Sequence, residues 1–586
     1  MRTEKALAKW AVGAVLALTV IFYVWPLALD VPLLDPDEGL HAAIAQEMLA
    51  RGDFVTPRFL GEPFLDKPIL YFWALLASLR VGGETEFAVR LPGLLFGWLG
   101  ALTTSMLAYR LAGKRVAWLA FCFYATSILP LALNQAAVHD VALIPWTNLA
   151  LLFLWRAERR DTTAAALTEA AVAGLFVGLA MLTKGLVGVA LVGLPFAVWL
   201  VWQRRLTVRM CAAGLATLVV GAALAAPWYL AMERGQPGYL HYFFIDRHLL
   251  GFMTTTQIHG DRPWWYYVPI VAGGAWPWVV YAPFAVRRSP DTARPAWTSL
   301  VWIWIVVDLV LLSTAKSKLV TYVLPVFPAI AMLAGVAWTS VADRARDDPW
   351  SPHGFTAAIW VHAIAGSILV PVALVLARGE FGVDFGRAAW IGAVALVGGY
   401  VWVLAEWYEF RAGFSTAVGS AFRRAKGRLK PAPTGGETGA LAARVLVIQV
   451  GLVTAMFVLV MTVAFRPVAE QFSARSVARH FNERGALPPQ IWIVDERVGS
   501  LVFYLDGSLR RGLTPAQIEN VPLGLVLGRL PTAPPEVAVV LAERDVRRFA
   551  RGIDLTGVPY EPAGRHRIYA TGPLRERILK IIGGVR

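Results

Sequence analysis

Apolar runs of about 18–25 residues recur along this chain, each long enough to cross a roughly 30 Å hydrocarbon core as a helix. Inside lipid every backbone N–H and C=O must find its partner within the protein, so such runs fold as spanning helices. The pattern predicts about 13 spans, over residues 10–29, 88–109, 117–136, 141–155, 166–183, 185–202, 210–230, 265–286, 298–314, 319–341, 356–377, 389–408 and 444–465. Composition agrees, with 57% of 586 residues hydrophobic and 16% charged.

The formal charge of +15 would suggest a nucleic-acid partner in a soluble protein. Here the cations fall in alternate short loops: Arg110/Lys114/Arg115, Arg156/Arg159/Arg160, Arg204/Arg205/Arg209, Arg287/Arg288/Arg294 and Arg344/Arg346. That alternation marks the cytoplasmic side and excludes nucleic acid as the reason for the charge. A longer basic loop, 409–443, ends in Pro431-Ala-Pro-Thr-Gly-Gly, a flexible-linker composition. The start, with Arg2, Lys5 and Lys9 before an apolar run, is expected to be an uncleaved first span with its amino end inside. An odd number of spans then puts the carboxyl end outside. Cys122 and Cys211 lie in apolar runs and are expected as small buried hydrophobes, with no disulfide framework.

The connections on the opposite face are longer. Residues 30–87 carry acids, prolines and two helical pieces, and residues 231–264 carry aromatics and three histidines. From about 467 the composition turns soluble. Ile491-Trp-Ile-Val and Val537-Ala-Val-Val-Leu read as buried strands, and Ser476 to Arg484 and Glu543 to Arg551 as helices. The predicted organisation is therefore an all-α polytopic membrane domain over 1–466, with outer loops 30–87 and 231–264, and a small extracytoplasmic α/β domain over 467–586.

Several ionisable residues map to that outer face. Leu34-Asp-Pro-Asp-Glu-Gly-Leu-His opens a helix with Leu40, Ile44 and Met48 on one face, predicted to lie along the membrane surface. Asp35 fits its N-cap, Pro36 its first turn and Glu38 the returning carboxylate of a capping box. Asp37 is left over, as a base or a cation ligand. Lys67 precedes an apolar helix and either snorkels to the interface or holds a phosphate. His139-Asp140, Lys184, Arg247, Lys316 and Lys318 fall near span ends on the same side. Two carboxylates and several cations on one face suit an anionic lipid phosphate with an acid–base group beside it. His241, His248 and His259 lack tight ligand spacing; with an outer acid they could hold a divalent cation, or stand as aqueous loop residues. No nucleotide-binding loop or nucleophile elbow is present in a credible context.

At these residues the sequence resembles the polytopic GT-C glycosyltransferases, in the branch related to protein O-mannosyltransferases and 4-amino-4-deoxy-L-arabinose lipid A transferase. The motifs are Asp37-Glu38, Ala50-Arg-Gly-Asp-Phe-Val-Thr-Pro, Asp66-Lys67-Pro68, Arg90-Leu-Pro, Thr183-Lys184-Gly185, Pro227-Trp-Tyr and Ser317-Lys318-Leu-Val-Thr-Tyr322, in order over about 10–340. The resemblance implies transfer of a sugar from a polyprenyl-phosphate donor to a lipid, glycan or protein acceptor, with inversion at the anomeric carbon. It implies Asp37 and Glu38 as the catalytic acid pair, Asp37 being the base, and Asp140 as the second outer acid. Lys67 would contact phosphate, and Lys184, Arg247, Lys318 and Tyr322 would bind phosphate or donor. Ile69 stands where the family often repeats Pro, and Gly39-Leu-His41 replaces a more usual Arg-Tyr. A lipid-linked sugar transporter is the competing expectation. It would need broken helices or internal symmetry about a midplane site.

Overall fold

The computed structural model describes residues 12–253, 262–285, 296–344, 352–381, 385–424, 435–496 and 498–583. Among them, eight helices are long and apolar enough to cross a membrane: Glu86–Ala112, Thr163–Lys184, Val208–Gly235, Ala296–Thr314, Val320–Val341, Phe355–Gly379, Gly386–Glu409 and Ala442–Ala469. A ninth is added if Lys114–Ala125 and Ile128–Asn134, bent by 62°, count as one span. The expected 141–155 span lies within His139–Glu158, an unbroken 20-residue helix that is not among the eight, and the remaining expected spans fall on shorter or broken pieces. Val12–Ala28 and Leu186–Trp202 are short apolar helices, and 265–286 divides into Tyr267–Gly274 and two 3-10 turns. Residues 1–11, the 425–434 part of the basic loop and His259 lie outside the described residues.

Small residues let the helices approach. An added Cβ on Gly174 would lie 2.7 Å from the Thr217 carbonyl oxygen, and one on Gly178 2.8 Å from that of Gly221. This four-residue spacing brings Thr163–Lys184 and Val208–Gly235 into backbone contact, as small residues do between helices in lipid. Both cysteines are free, but Cys211 is exposed rather than buried. It stands on the outward side of Val208–Gly235, where much of that helix is uncovered.

The loop after the first apolar helix forms the helix Asp37–Arg51, a short hairpin of β1 (Arg58–Phe59) and β2 (Glu62–Pro63), and the helix Leu70–Gly82. The expected capping box does not form. Pro36 is the N-cap with no side-chain cap bond, and Glu38 Oε2 accepts instead from Leu34 N–H at 2.9 Å. Asp35 turns toward the carboxyl-terminal region, where it accepts from Ser500 N–H at 3.0 Å. Its side chain is drawn there because the helix Gly499–Tyr504 packs on this face and offers the donors.

The carboxyl-terminal region is α/β. Its sheet holds β3 (Gln490–Val494), β4 (Ile518–Val521), β5 (Val537–Ala542), β6 (Glu561–Ala563) and β7 (His566–Ala570), in the order β4-β3-β5-β7-β6. β3 runs parallel to β4 and β5, and β7 antiparallel to β5 and β6. The buried runs Ile491–Val494 and Val537–Ala542 supply the centre, as near-continuous apolar strands do when both faces are covered.

Candidate active site

Two adjoining cavities lie where the loops that carry Asp37, Lys67 and Arg247 meet the helix ends, and they share Asp66, Lys67 and Arg247. The smaller, of 70 Å³, is an acidic chamber whose walls include Asp37, His41, His139, Asp140 and Thr321. The larger, of 360 Å³, is a groove lined mainly by apolar side chains, among them Leu186, Val187, Phe252, Leu311 and Leu312, with Lys184, His248 and Tyr322 at its polar side.

Each charged group has a definite setting. Asp37 opens its helix and is exposed toward the chamber, and neither it nor Lys67 makes a hydrogen bond or ion pair among the described residues. Such bare groups are the ones free to meet a substrate. Lys184 is buried, ion-paired to Asp140, and its Nζ lies 4.0 Å from the Tyr322 ring centroid. Arg247 Nε sits 3.3 Å from Asp66 Oδ1, which also accepts from Tyr242 Oη at 2.7 Å. Asp66 thereby fixes the segment of Tyr242 and Arg247 against the loop that follows Asp37–Arg51.

Glu38 is placed elsewhere. Both its oxygens are taken by Arg90, with Nε–Oε1 at 2.9 Å and Nη2–Oε2 at 2.8 Å, and the pair is buried. Arg90 also donates to the Val31 and Pro32 carbonyls, so the pair pins the start of the loop to Glu86–Ala112 and leaves Glu38 away from the chamber. Lys318 is buried and donates to the Arg262 carbonyl at 3.0 Å. It lines a separate cavity with Lys316, Arg262 and Trp264.

His139, expected beside Asp140, lines the chamber, and so does His41, to which the sequence assigns no role; their ring centroids lie 4.5 Å apart. Burial holds the His41 imidazole below its usual range, and the nearby Asp37 carboxylate only partly opposes this. The second-loop histidines diverge. His241 faces Asp246 at 3.5 Å, and His248 bonds the Phe243 and Lys184 carbonyls. No cluster of three or more His, Cys, Asp or Glu suited to a metal is present among the described residues.

The described helices make this a polytopic membrane protein, and its likeness to solved structures is to the GT-C fold that the motifs implied. A family model described as dolichyl-phosphate-mannose-protein mannosyltransferase matches residues 66–230. The undecaprenyl phosphate-alpha-4-amino-4-deoxy-L-arabinose arabinosyl transferase of Aeromonas salmonicida (strain A449) is 32% identical over 373 residues, covering 63% of this chain and 66% of the relative. The enzyme of that name from Edwardsiella ictaluri (strain 93-146) is 34% identical over 331 residues, 56% of this chain and 59% of the relative. The chain thus spans a little under two thirds of the length of these relatives. In three dimensions it is similar to ArnT from Cupriavidus metallidurans bound to undecaprenyl phosphate, with TM-score 0.65 and 22% identity, covering 97% of this chain and 98% of that one. It is also similar to the archaeal oligosaccharyltransferase AglB from Archaeoglobus fulgidus, solved with an inhibitory peptide and a dolichol-phosphate. There the TM-score is 0.52 at 13% identity, over 98% of this chain and 78% of that one. The chain is accordingly an integral inner-membrane protein with the fold of these transferases.

Proposed function

We propose that the chain transfers a sugar from a polyprenyl-phosphate donor of the undecaprenyl type to a lipid, glycan or protein acceptor of the cell envelope. The carrying observation is the shared wall: an apolar groove and an acidic chamber meet at Asp66, Lys67 and Arg247. A prenyl tail suits the groove, and the phosphate suits its cationic edge. The named activities of the relatives support this reading.

In the reaction, the acceptor hydroxyl oxygen attacks the anomeric carbon while its proton passes to the Asp37 carboxylate. The bond from that carbon to the phosphate oxygen breaks, and its electron pair leaves with polyprenyl phosphate. Direct displacement inverts the anomeric centre. Lys67 and Arg247 stabilise the charge growing on the leaving phosphate, the kind of preorganised electrostatic help that matters most in a water-poor site. Asp140 holds Lys184 beside Tyr322 as a second line of donor contacts. Lys318 is assigned to the donor side through the backbone it steadies, and Glu38 acts on Asp37 by anchoring its helix. We take residues 1–466 as the transferase domain and 467–586 as an extracytoplasmic domain, with the amino end cytoplasmic.

The test is the full chain in vesicles holding a polyprenyl-phosphate sugar, with mass spectrometry of envelope lipids and proteins from cells with and without the gene. Free polyprenyl phosphate and a newly glycosylated product of opposite anomeric configuration are expected. Movement of the intact lipid-linked sugar across the bilayer, with none consumed, would make the chain a transporter instead.

A further inference from the structure

We propose that the carboxyl-terminal α/β region is part of the transfer machinery, with Gly499 and Ser500 acting as positioning residues that set where the Asp37–Arg51 helix holds its carboxylate. This deepens the proposed function and rests on Asp37 being the base.

The contact between the two regions is concentrated on the helix that carries Asp37. Gly39 and Gly499 cross at backbone distance. A Cβ added to Gly499 would lie 2.2 Å from Leu40 N and 2.5 Å from Leu40 Cα, and one on Gly39 2.4 Å from Ser500 N. Two residues before Asp37, the Asp35 carboxyl group accepts from both the backbone N–H and the hydroxyl of Ser500. Farther along the helix, Gln46 Nε2 donates to the Phe503 carbonyl at 3.1 Å. The start of the loop is held as well: Tyr504 Oη accepts from Leu33 N–H and donates to Glu86, both at 2.8 Å. Arg475 reaches Asp30 at 2.6 Å and Glu86 at 3.1 Å. These bonds surround Asp37, yet none is made to it.

The sheet reinforces this. β3 and β5 are adjacent parallel strands, and β4, which follows β3, lies on the other side, so the chain changes direction between β3 and β5. Open α/β sheets bind ligands outside the carboxyl ends of the strands at such a point. Here that place holds Glu496, paired with Arg544 and with His566 at 2.9 Å. Arg544 donates to the Gln471 carbonyl and covers the Phe472 ring at 4.3 Å. The Phe472 carbonyl in turn accepts from Asp35 N–H at 2.9 Å. The usual ligand crevice is filled by this chain's own strap, which is bonded to the residue that leads into the catalytic helix. A sheet that only decorated the outer face would need none of this.

The chemistry explains why such support matters. A base must stay within hydrogen-bond reach of the acceptor proton, and a misplacement of about 1 Å can lower a rate by roughly 100-fold. The Asp37 helix begins with no side-chain cap, so its start is held by bonds from outside the helix, Arg90 on Glu38 and Ser500 on Asp35.

The experiment uses the full chain and reads turnover with polyprenyl-phosphate sugar alongside equilibrium binding of polyprenyl phosphate. Gly499→Ala forces a methyl group into the Leu40 backbone and should lower kcat about 100-fold while phosphate affinity stays within about twofold. Ser500→Ala and Asp35→Leu, milder changes in space, should lower kcat about 10-fold with the same split. Asp35→Asn keeps an oxygen for the Ser500 N–H and should restore most of the turnover lost in Asp35→Leu. If folded Gly499→Ala turns over normally, or if kcat and phosphate affinity fall together in every variant, the positioning role is wrong. Should Gly499→Ala not fold, the Asp35→Leu and Asp35→Asn pair decides: equal turnover in the two overturns the proposal. Asp37→Asn run in parallel separates the layers, since full turnover there defeats the base assignment whatever Gly499→Ala does.

Discussion

In the apolar groove the fixed charges are largely answered by the protein: Lys184 by Asp140, and Arg247 by Asp66. In the chamber next to it, Asp37 stands in reach of solvent with no ion pair among the described residues. The two spaces touch, so the contrast is one of readiness. The groove holds cations already paired within the protein, whereas the chamber keeps one carboxylate unengaged, as the proposed base would need to be. Neighbouring residues repeat the lesson, because Glu38 beside Asp37 is closed off by Arg90.

The contrast can be broken most strongly at Asp37. Asp37→Asn should lower turnover by roughly 10²–10⁴-fold, the usual range for a positioned general base, with donor binding unchanged; single-turnover assays read it. Breaking the pair behind the groove acts on stability instead. Asp140→Ala leaves Lys184 buried and unanswered, which should destabilise the protein by about 3–5 kcal/mol in thermal unfolding in detergent. Replacing both partners by apolar residues should recover much of that loss. Lys67→Ala removes a charge-assisted contact of about 1.5–3 kcal/mol and should weaken polyprenyl-phosphate binding by roughly 10–100-fold. An unchanged affinity would take Lys67 off the phosphate.

The smallest effect concerns pH. Burial pushes the Asp35 carboxyl up to about 8, with the Ser500 bonds opposing and the Glu496 and Glu38 charges adding to the rise. Glu496 is itself paired with Arg544 and His566, and Glu38 with Arg90. Docked Asp35 therefore keeps a proton that the released carboxyl would lose above its ordinary value of 3.8. Docking is fully supported below that ordinary value and weakens as pH rises toward about 8, beyond which it levels off. Proteolysis of the carboxyl-terminal region should speed up over that window in the native protein, and Asp35→Asn should flatten the dependence.

Much of this was legible in the chain. Long apolar runs and alternating basic loops gave the membrane class, and the buried runs at 491–494 and 537–541 gave the central strands. Loop charge led to the expectation that Asp37, Lys67 and Asp140 share one face, and all three line one cavity. Span number was less legible, since Tyr267–Gly274 and the bend after Ala125 interrupt runs whose composition is continuous. The fate of Glu38 was hidden for another reason. Its partner Arg90 lies 52 residues away, and the local pattern Asp-Pro-Asp-Glu fits a capping box that tertiary bonds override. Asp66 was quoted within a motif without a role. Its bonds to Tyr242, 176 residues away, and to Arg247 join distant segments that no local periodicity reports.

A structure of the full chain with polyprenyl phosphate bound bears most directly on the meeting of tail groove and base. The phosphate should lie between Lys67 and Arg247, its first prenyl units along Leu311 and Leu312, with Asp37 across the shared wall. Phosphate held instead in the separate cavity of Lys316 and Arg262, with the groove empty, would contradict the account.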